Sequence, residues 1–357
     1  MKFVALPIPE IIGVAKKFGQ FLAMPTLPIP ELLMRMALDG FEGGFRIGGR
    51  CITNLRYADD IVLIASSEKE LQQLVNRVHE AAGDMNMKIN VKKTEVMKVS
   101  DDPSPITVTV GSDTLAETKS FKYLGALFNS EASCDEEVKS RLAIARQRMS
   151  ELATIWKSRT VSRSLKARLI QALVWPIVTY GSEAWTLNKE LCENIEAFEM
   201  QCYRRSMRIS YTEHVTNDEV LRRVGQDRKL MGQVKSRKLK YFGHTSRHNS
   251  LEKDIMFGTM PGKRRQGGQK KQWLDDITQW TRMSLVETVR KAEDRDRYRQ
   301  FVHTVAYART PGTVICYAGT CDRNTLAFAI SPAPLISCLV PLFAVPRHSS
   351  RVRCRSI

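Results

Sequence analysis

Two adjacent carboxylates, Asp59 and Asp60, stand between the apolar runs 51–57 and 61–65. This pattern constrains the chain more than any other, because it reads as two strands joined by a tight turn. The strands would hold the turn rigidly and aim both like charges outward from an apolar base. Paired carboxylates at such a tip repel one another, and a divalent cation is the usual relief. Mg²⁺ takes carboxylate oxygens together with substrate phosphates, and two such ions serve nucleotidyl transfer. A solvated Asp-Asp turn is the plainer reading, so the surrounding elements have to decide.

Those elements alternate between strand and helix. Phe45-Arg46-Ile47 and Arg50-Cys51-Ile52 flank Gly48-Gly49, the signature of a two-residue hairpin. Ser67 with Glu70 three residues on predicts a capping box. Leu71, Leu74, Val75, Val78 and Ala82 then share one helical face, and Gly83 is placed to stop the helix. Residues 88–92 alternate as a strand should, and further strands are expected at 106–110 and 121–128. Beyond them the pattern turns helical. Between Lys139 and Arg168 nine Lys/Arg face a single acid, Glu151, with apolar residues at helical spacing. That predicts helices with one buried and one positive face. Pro176 should kink or end the helix before it.

Charge points to the partner. With 55 Lys+Arg against 38 Asp+Glu the net charge is +17, and so basic a chain suits a polyanion, most commonly nucleic acid. The eight scattered cysteines form no disulfide framework and suit an intracellular setting. Residues 326–345 are apolar and long enough to span a bilayer. However, Pro332, Pro334 and Pro341 break them, so no specific membrane partner is expected.

The motifs occur in a telling order: Arg46 to Arg56, Tyr57-Ala58-Asp59-Asp60, Asn90-Val91-Lys92-Lys93-Thr94, Phe121-Lys122-Tyr123-Leu124-Gly125, Tyr180-Gly181-Ser182-Glu183-Ala184-Trp185 and Tyr241-Phe242-Gly243-His244. Together they resemble the reverse transcriptases of non-LTR (LINE-type) retrotransposons over roughly residues 33 to 305. The resemblance implies an α+β fold: the C-terminal half of a palm, with antiparallel strands plus a helix, then a helical thumb and a helical basic tail. The expected division is an irregular segment 1–35, a partial palm 36–130, a thumb-like region 131–188, a basic helical region 189–309 and a disordered tail 310–357.

The resemblance also implies residue roles. Asp59 would be the principal metal ligand, Asp60 its weaker companion, and Lys93 the acid or electrostatic partner of the leaving pyrophosphate. Tyr57, Asn90, Tyr123, Leu124 and Gly125 would line the primer and nucleotide site. Arg146, Lys157, Arg159, Arg163 and Lys166, with Lys263, Arg264 and Arg265 in a Gly-containing loop, would contact nucleic-acid phosphates. The cofactor would be Mg²⁺ and the partners RNA and DNA.

Two of the family's elements have no counterpart, namely the aspartate-bearing F-x-D strand and the Q-G…S-P nucleotide loop; the one aspartate before Asp59 is Asp39. The expectation is therefore an N-terminally truncated RNA-directed DNA polymerase with weak or absent Mg²⁺ binding, inactive by itself, with an exposed sheet edge where strands are lost. A separate polypeptide carrying the missing half would be a further partner. The rival readings are a non-catalytic RNA- or DNA-binding protein and a fragment that does not fold. Cys192, Cys202, His214, His244 and His248 lack zinc-finger spacing, and Asp275-Asp276 reads as surface charge on a helix.

Overall fold

In a computed structural model of the chain, residues 2–7, 29–57, 60–99, 104–257 and 271–307 are described. The chain is α+β, with short, mostly antiparallel strands followed by helices. Its contacts divide it into two units, with the boundary between Ser133 and Cys134.

The first unit is built on a five-stranded sheet. It comprises β1 (Lys2–Pro7), β4 (Asn54–Tyr57), β5 (Asp60–Ala65), β6 (Glu95–Lys98) and β9 (Ala116–Glu117), in the order β4-β5-β1-β6-β9. α1 (Ile29–Leu38) and α2 (Glu68–Asp84) cover it. Leu33, Met34 and Ala37 of α1 join Leu71, Leu74, Val75 and Val78 of α2 and Ile61, Leu63 and Ala65 of β5 in one core. Val62 and Ile64 are buried as well, which explains why 61–65 is apolar without alternation: β5 is covered on both faces.

Several sequence expectations are met in detail. β2 (Phe45–Ile47) and β3 (Arg50–Ile52) form the expected hairpin, with φ of 56° at Gly48 and 83° at Gly49. Ser67 Oγ accepts from Glu70 N at 3.3 Å, as a capping residue should. The carboxylate of Glu70 departs from the box, accepting from Ser66 N at 2.8 Å and from Gly44 N. It thereby ties α2 to the β2–β3 hairpin.

Other expectations are corrected. Part of the segment read as irregular, 1–35, is ordered: Lys2–Pro7 is a strand hydrogen-bonded between β5 and β6, and Ile29 opens α1. The sheet edge expected beside β5 is therefore filled. Gly83 does not stop α2, which runs to Asp84; the chain turns at Asn86, where φ is 56°. Residues 88–90 are not a strand and Val91–Lys93 is a 3-10 turn. Only the end of 106–110 pairs, as β7 (Thr109–Val110) with β8 (Asp113–Thr114). The expected strand at 121–128 is a hairpin, β10 (Ser120–Tyr123) and β11 (Ala126–Asn129). It turns at Leu124 and Gly125, both left-handed with φ of 51° and 79°.

The second unit is helical: α3 (Asp135–Glu151), α4 (Ala153–Lys157), α5 (Arg163–Leu173), α6 (Trp175–Val178), α7 (Lys189–Met207), α8 (Asn217–Val224), α9 (Leu230–Arg247), α10 (Leu251–Phe257), α11 (Trp273–Thr281), α12 (Leu285–Glu293) and α13 (Arg295–Tyr307). As expected, α5 ends before Pro176, which sits in the first turn of α6. One core joins α3, α5, α6, α7, α8 and the start of α9. A second gathers Leu239 and Phe242 of α9 with Trp273, Ile277, Ala292, Tyr298 and Val302.

Asp276 corrects the surface reading of Asp275-Asp276, because it is fully buried. Its Oδ2 accepts from Lys238 Nζ at 2.5 Å and from Leu187 N at 3.0 Å. Lys238 is also fully buried and donates to Trp185 O at 2.7 Å. Its ammonium lies 4.8 Å from the Trp273 ring centroid, and burial pushes its pKa down to about 8 against the pull of Asp276. Among the described residues no helix is long and apolar enough to cross a membrane. Residues 326–345 lie outside the described residues.

Candidate functional site

The facing ends of β4 and β5, on either side of residues 58 and 59, lie at one end of the sheet. Tyr57 and Asp60 are register partners across β4 and β5. Ala58 and Asp59 themselves lie outside the described residues. Tyr57 is 40% exposed, open enough to meet a bound chain.

Backbone register brings the other candidates to this end. β1 is antiparallel to both β5 and β6, with Ala5 opposite Val62 on one side and Glu95 on the other. Asp60 opens β5 opposite Pro7 of β1, and Lys93 lies in the 3-10 turn two residues before the start of β6. Lys93 is exposed and closes the 3-10 turn through its N–H to Asn90 O at 3.0 Å. Asn90 O also accepts from Thr94 Oγ1 at 2.9 Å, so Asn90 and buried Thr94 fix the turn carrying Lys93. The β10–β11 hairpin supplies Tyr123, whose hydroxyl is buried and has no hydrogen-bond partner among the described residues. Burial first, and then the nearby charge of Asp60, raise its pKa well above the usual phenol range. That electrostatic coupling brings Tyr123 and Asp60 into one neighbourhood. Leu124 and Gly125 form the tip of the same hairpin.

Among the described residues no group of three His, Cys, Asp or Glu side chains is placed to hold a metal ion. Pro7 is the residue opposite Asp60, and β1, Lys-Phe-Val-Ala-Leu-Pro, carries no acid. The Mg²⁺ expectation turns on Asp59 together with Asp60, and Asp59 lies outside the described residues; no chemical step is routed through the ion. Cys192 and Cys202 belong to the helical core rather than to a zinc site.

The cations of the second unit sort by burial. Arg146, Lys157, Arg159 and Arg163 are exposed. Arg146 donates through Nε to Gln201 Oε1 at 3.3 Å and lies over the Phe198 ring at 5.8 Å. Lys166 departs from the expectation. It is 8% exposed, and its Nζ donates to Trp156 O and Ser158 O, both at 2.8 Å. It ties α4 to α5 and has little left to offer a phosphate. Lys263, Arg264 and Arg265 lie outside the described residues. Sequence reading missed β1 as the strand flanking the turn; its one signal was a short apolar run ending in proline.

Comparison with known proteins agrees with this geometry. The family model for reverse transcriptases, RNA-dependent DNA polymerases, matches residues 31–128, a stretch holding the paired-carboxylate turn and the 3-10 turn with Lys93. A transposon-derived protein of Caenorhabditis elegans is 32% identical over 208 residues, spanning 57% of this chain and 74% of the relative. Residues 31–128 are similar to the reverse-transcriptase domain, and the chain belongs to the family of that transposon-derived protein.

Proposed function

We propose that this chain is a reverse-transcriptase relative of non-LTR retrotransposon origin that binds template–primer nucleic acid and does not polymerise by itself. The observation that carries the reading is β1. The strand beside β5 is where a second metal-binding carboxylate would have to stand, and Lys2–Pro7 occupies that place without an acid. Tyr57, Asp60, Lys93 and Tyr123 keep the neighbourhood of a nucleotide site. Asp59, in the same turn, would be the main ligand of any residual metal. Template–primer contact falls to Arg146, Lys157, Arg159 and Arg163, all exposed, and a polyanion held by several cations should bind in a strongly salt-dependent way.

The test is primer extension on an RNA template with Mg²⁺ and the four deoxynucleotides. The expected result is no extension, alongside salt-sensitive binding of the same template–primer that is indifferent to Asp59→Asn and Asp60→Asn. Extension that Asp59→Asn abolishes would overturn the reading.

A further inference from the structure

At the seam between α3 and α7, Arg146 is joined by two cations that the sequence leaves unassigned, Arg205 and Arg208. Arg146 reaches from α3 to Gln201 and Phe198 of α7, and α7 continues the line. Arg205 follows Gln201 by one turn and Arg208 by two. All three are exposed, while Cys202, Tyr203 and Ser206 between them are buried. Arg146 and Arg205 both lower the Cys202 thiol pKa against its burial, which places both charges close to one side chain.

Neighbouring arginines are engaged within the fold. Arg204 donates to Val215 O at 2.6 Å and Asn217 Oδ1 at 2.9 Å. Arg222 and Arg223 hold Glu219, and Arg228 pairs with Glu196. Arg205 and Arg208 have no acidic partner among the described residues. Glu151 pairs with Arg148, and Glu213 accepts from Ser210 N.

Arg208 caps α7 in the left-handed conformation, φ 59° and ψ 34°, a backbone region that glycine adopts more readily than a residue with a side chain. α8 makes the same turn with Gly225. A cation is welcome at a helix C-terminus, but Arg204 and Arg205 already supply it in the last turn. α11 is capped in the same conformation by Arg282, so the conformation sets the position of Arg208 without assigning its side chain a partner.

We propose that Arg146, Gln201, Arg205 and Arg208 form a phosphate track for a nucleic-acid strand, extending the positive surface of α3–α5 onto α7. The inference rests on the nucleic-acid reading above. At 1.5 Å per residue, Gln201 to Arg205 is about 6 Å along the helix and Arg205 to Arg208 about 4.5 Å. Nucleic-acid strands present one phosphate per about 3.4 Å of axis, so the guanidinium groups reach separate phosphates, each with its planar fork.

The test is fluorescence anisotropy of a labelled RNA–DNA template–primer titrated with the full chain across a KCl series. Arg205→Ala and Arg208→Gly should each lower the slope of log K against log[KCl] by about 1. Arg208→Gly should do so without lowering the urea midpoint, because glycine suits that backbone, which separates lost contact from lost folding. Arg222→Ala, bound to Glu219, should change neither. Wild-type binding that Arg163→Ala weakens while the slope is unmoved in Arg205→Ala and Arg208→Gly would overturn the track and leave the broader function standing. Absence of any wild-type binding would overturn both.

Discussion

Glu199 lies on α7, yet its carboxylate serves α9: Oε1 accepts from Lys229 N at 2.7 Å and Leu230 N at 3.2 Å, at the start of that helix. Its Oε2 is buried without a hydrogen-bond partner among the described residues. Burial outweighs the two N–H donors and raises the pKa from its ordinary 4.5. Between those values the native state holds a proton that the unfolded chain has released, so stability falls as pH rises through the window. Glu199→Gln keeps the acceptor and removes the titration. Its urea midpoint should exceed that of the wild type at pH 8, with the gap closing toward pH 4; a gap that stays constant would show that the carboxyl does not titrate as argued. No sequence signal marks this residue, because its environment is made by Lys229 and Leu230, thirty residues away. Asp276 and Lys166 were misread for the same reason. A charge on an amphipathic helix reads as solvated until a distant partner, here Lys238 or the carbonyls of Trp156 and Ser158, is known.

Local chemistry was far more legible at the scale of elements. Gly48-Gly49 fixed the β2–β3 hairpin and Ser67 fixed the start of α2, because turn and cap residues act within a few positions of themselves. The Leu124-Gly125 turn was read as part of one strand, since leucine at φ 51° is not a turn residue that propensity would choose. β1 was missed because a run of six residues ending in proline has no period to read, and its pairing partners lie more than fifty residues away. Yet β1 holds β5 and β6 apart and hydrogen-bonds to both. Deleting residues 1–7 would leave two unpaired ladders facing one another, an invitation to intermolecular pairing. The deletion should elute from size exclusion as soluble aggregate, or not remain soluble. A monomeric deletion variant with an unchanged urea midpoint would show that β1 is dispensable and would remove the main support for the proposed loss of catalysis.

At the scale of the whole molecule, the two units divide chemistry as well as contacts. The paired-carboxylate turn, Lys93 and Tyr123 belong to the first unit, whereas Arg146, Lys157, Arg159, Arg163, Arg205 and Arg208 belong to the second. The second has apolar cores of its own, which is what independent folding requires. A protein spanning 134–307 should therefore unfold cooperatively by itself. It should also bind template–primer with nearly the salt slope of the full chain, since that slope counts neutralised phosphates rather than overall size. Residues 1–133 alone should bind with a much shallower slope. If 134–307 folds but loses more than half the slope, the phosphate contacts are shared between the units and the helices are only part of the surface. If instead the slope is retained, binding has outlived the site it once served, and the basic helices account for the affinity without any contribution from Asp59 or Asp60.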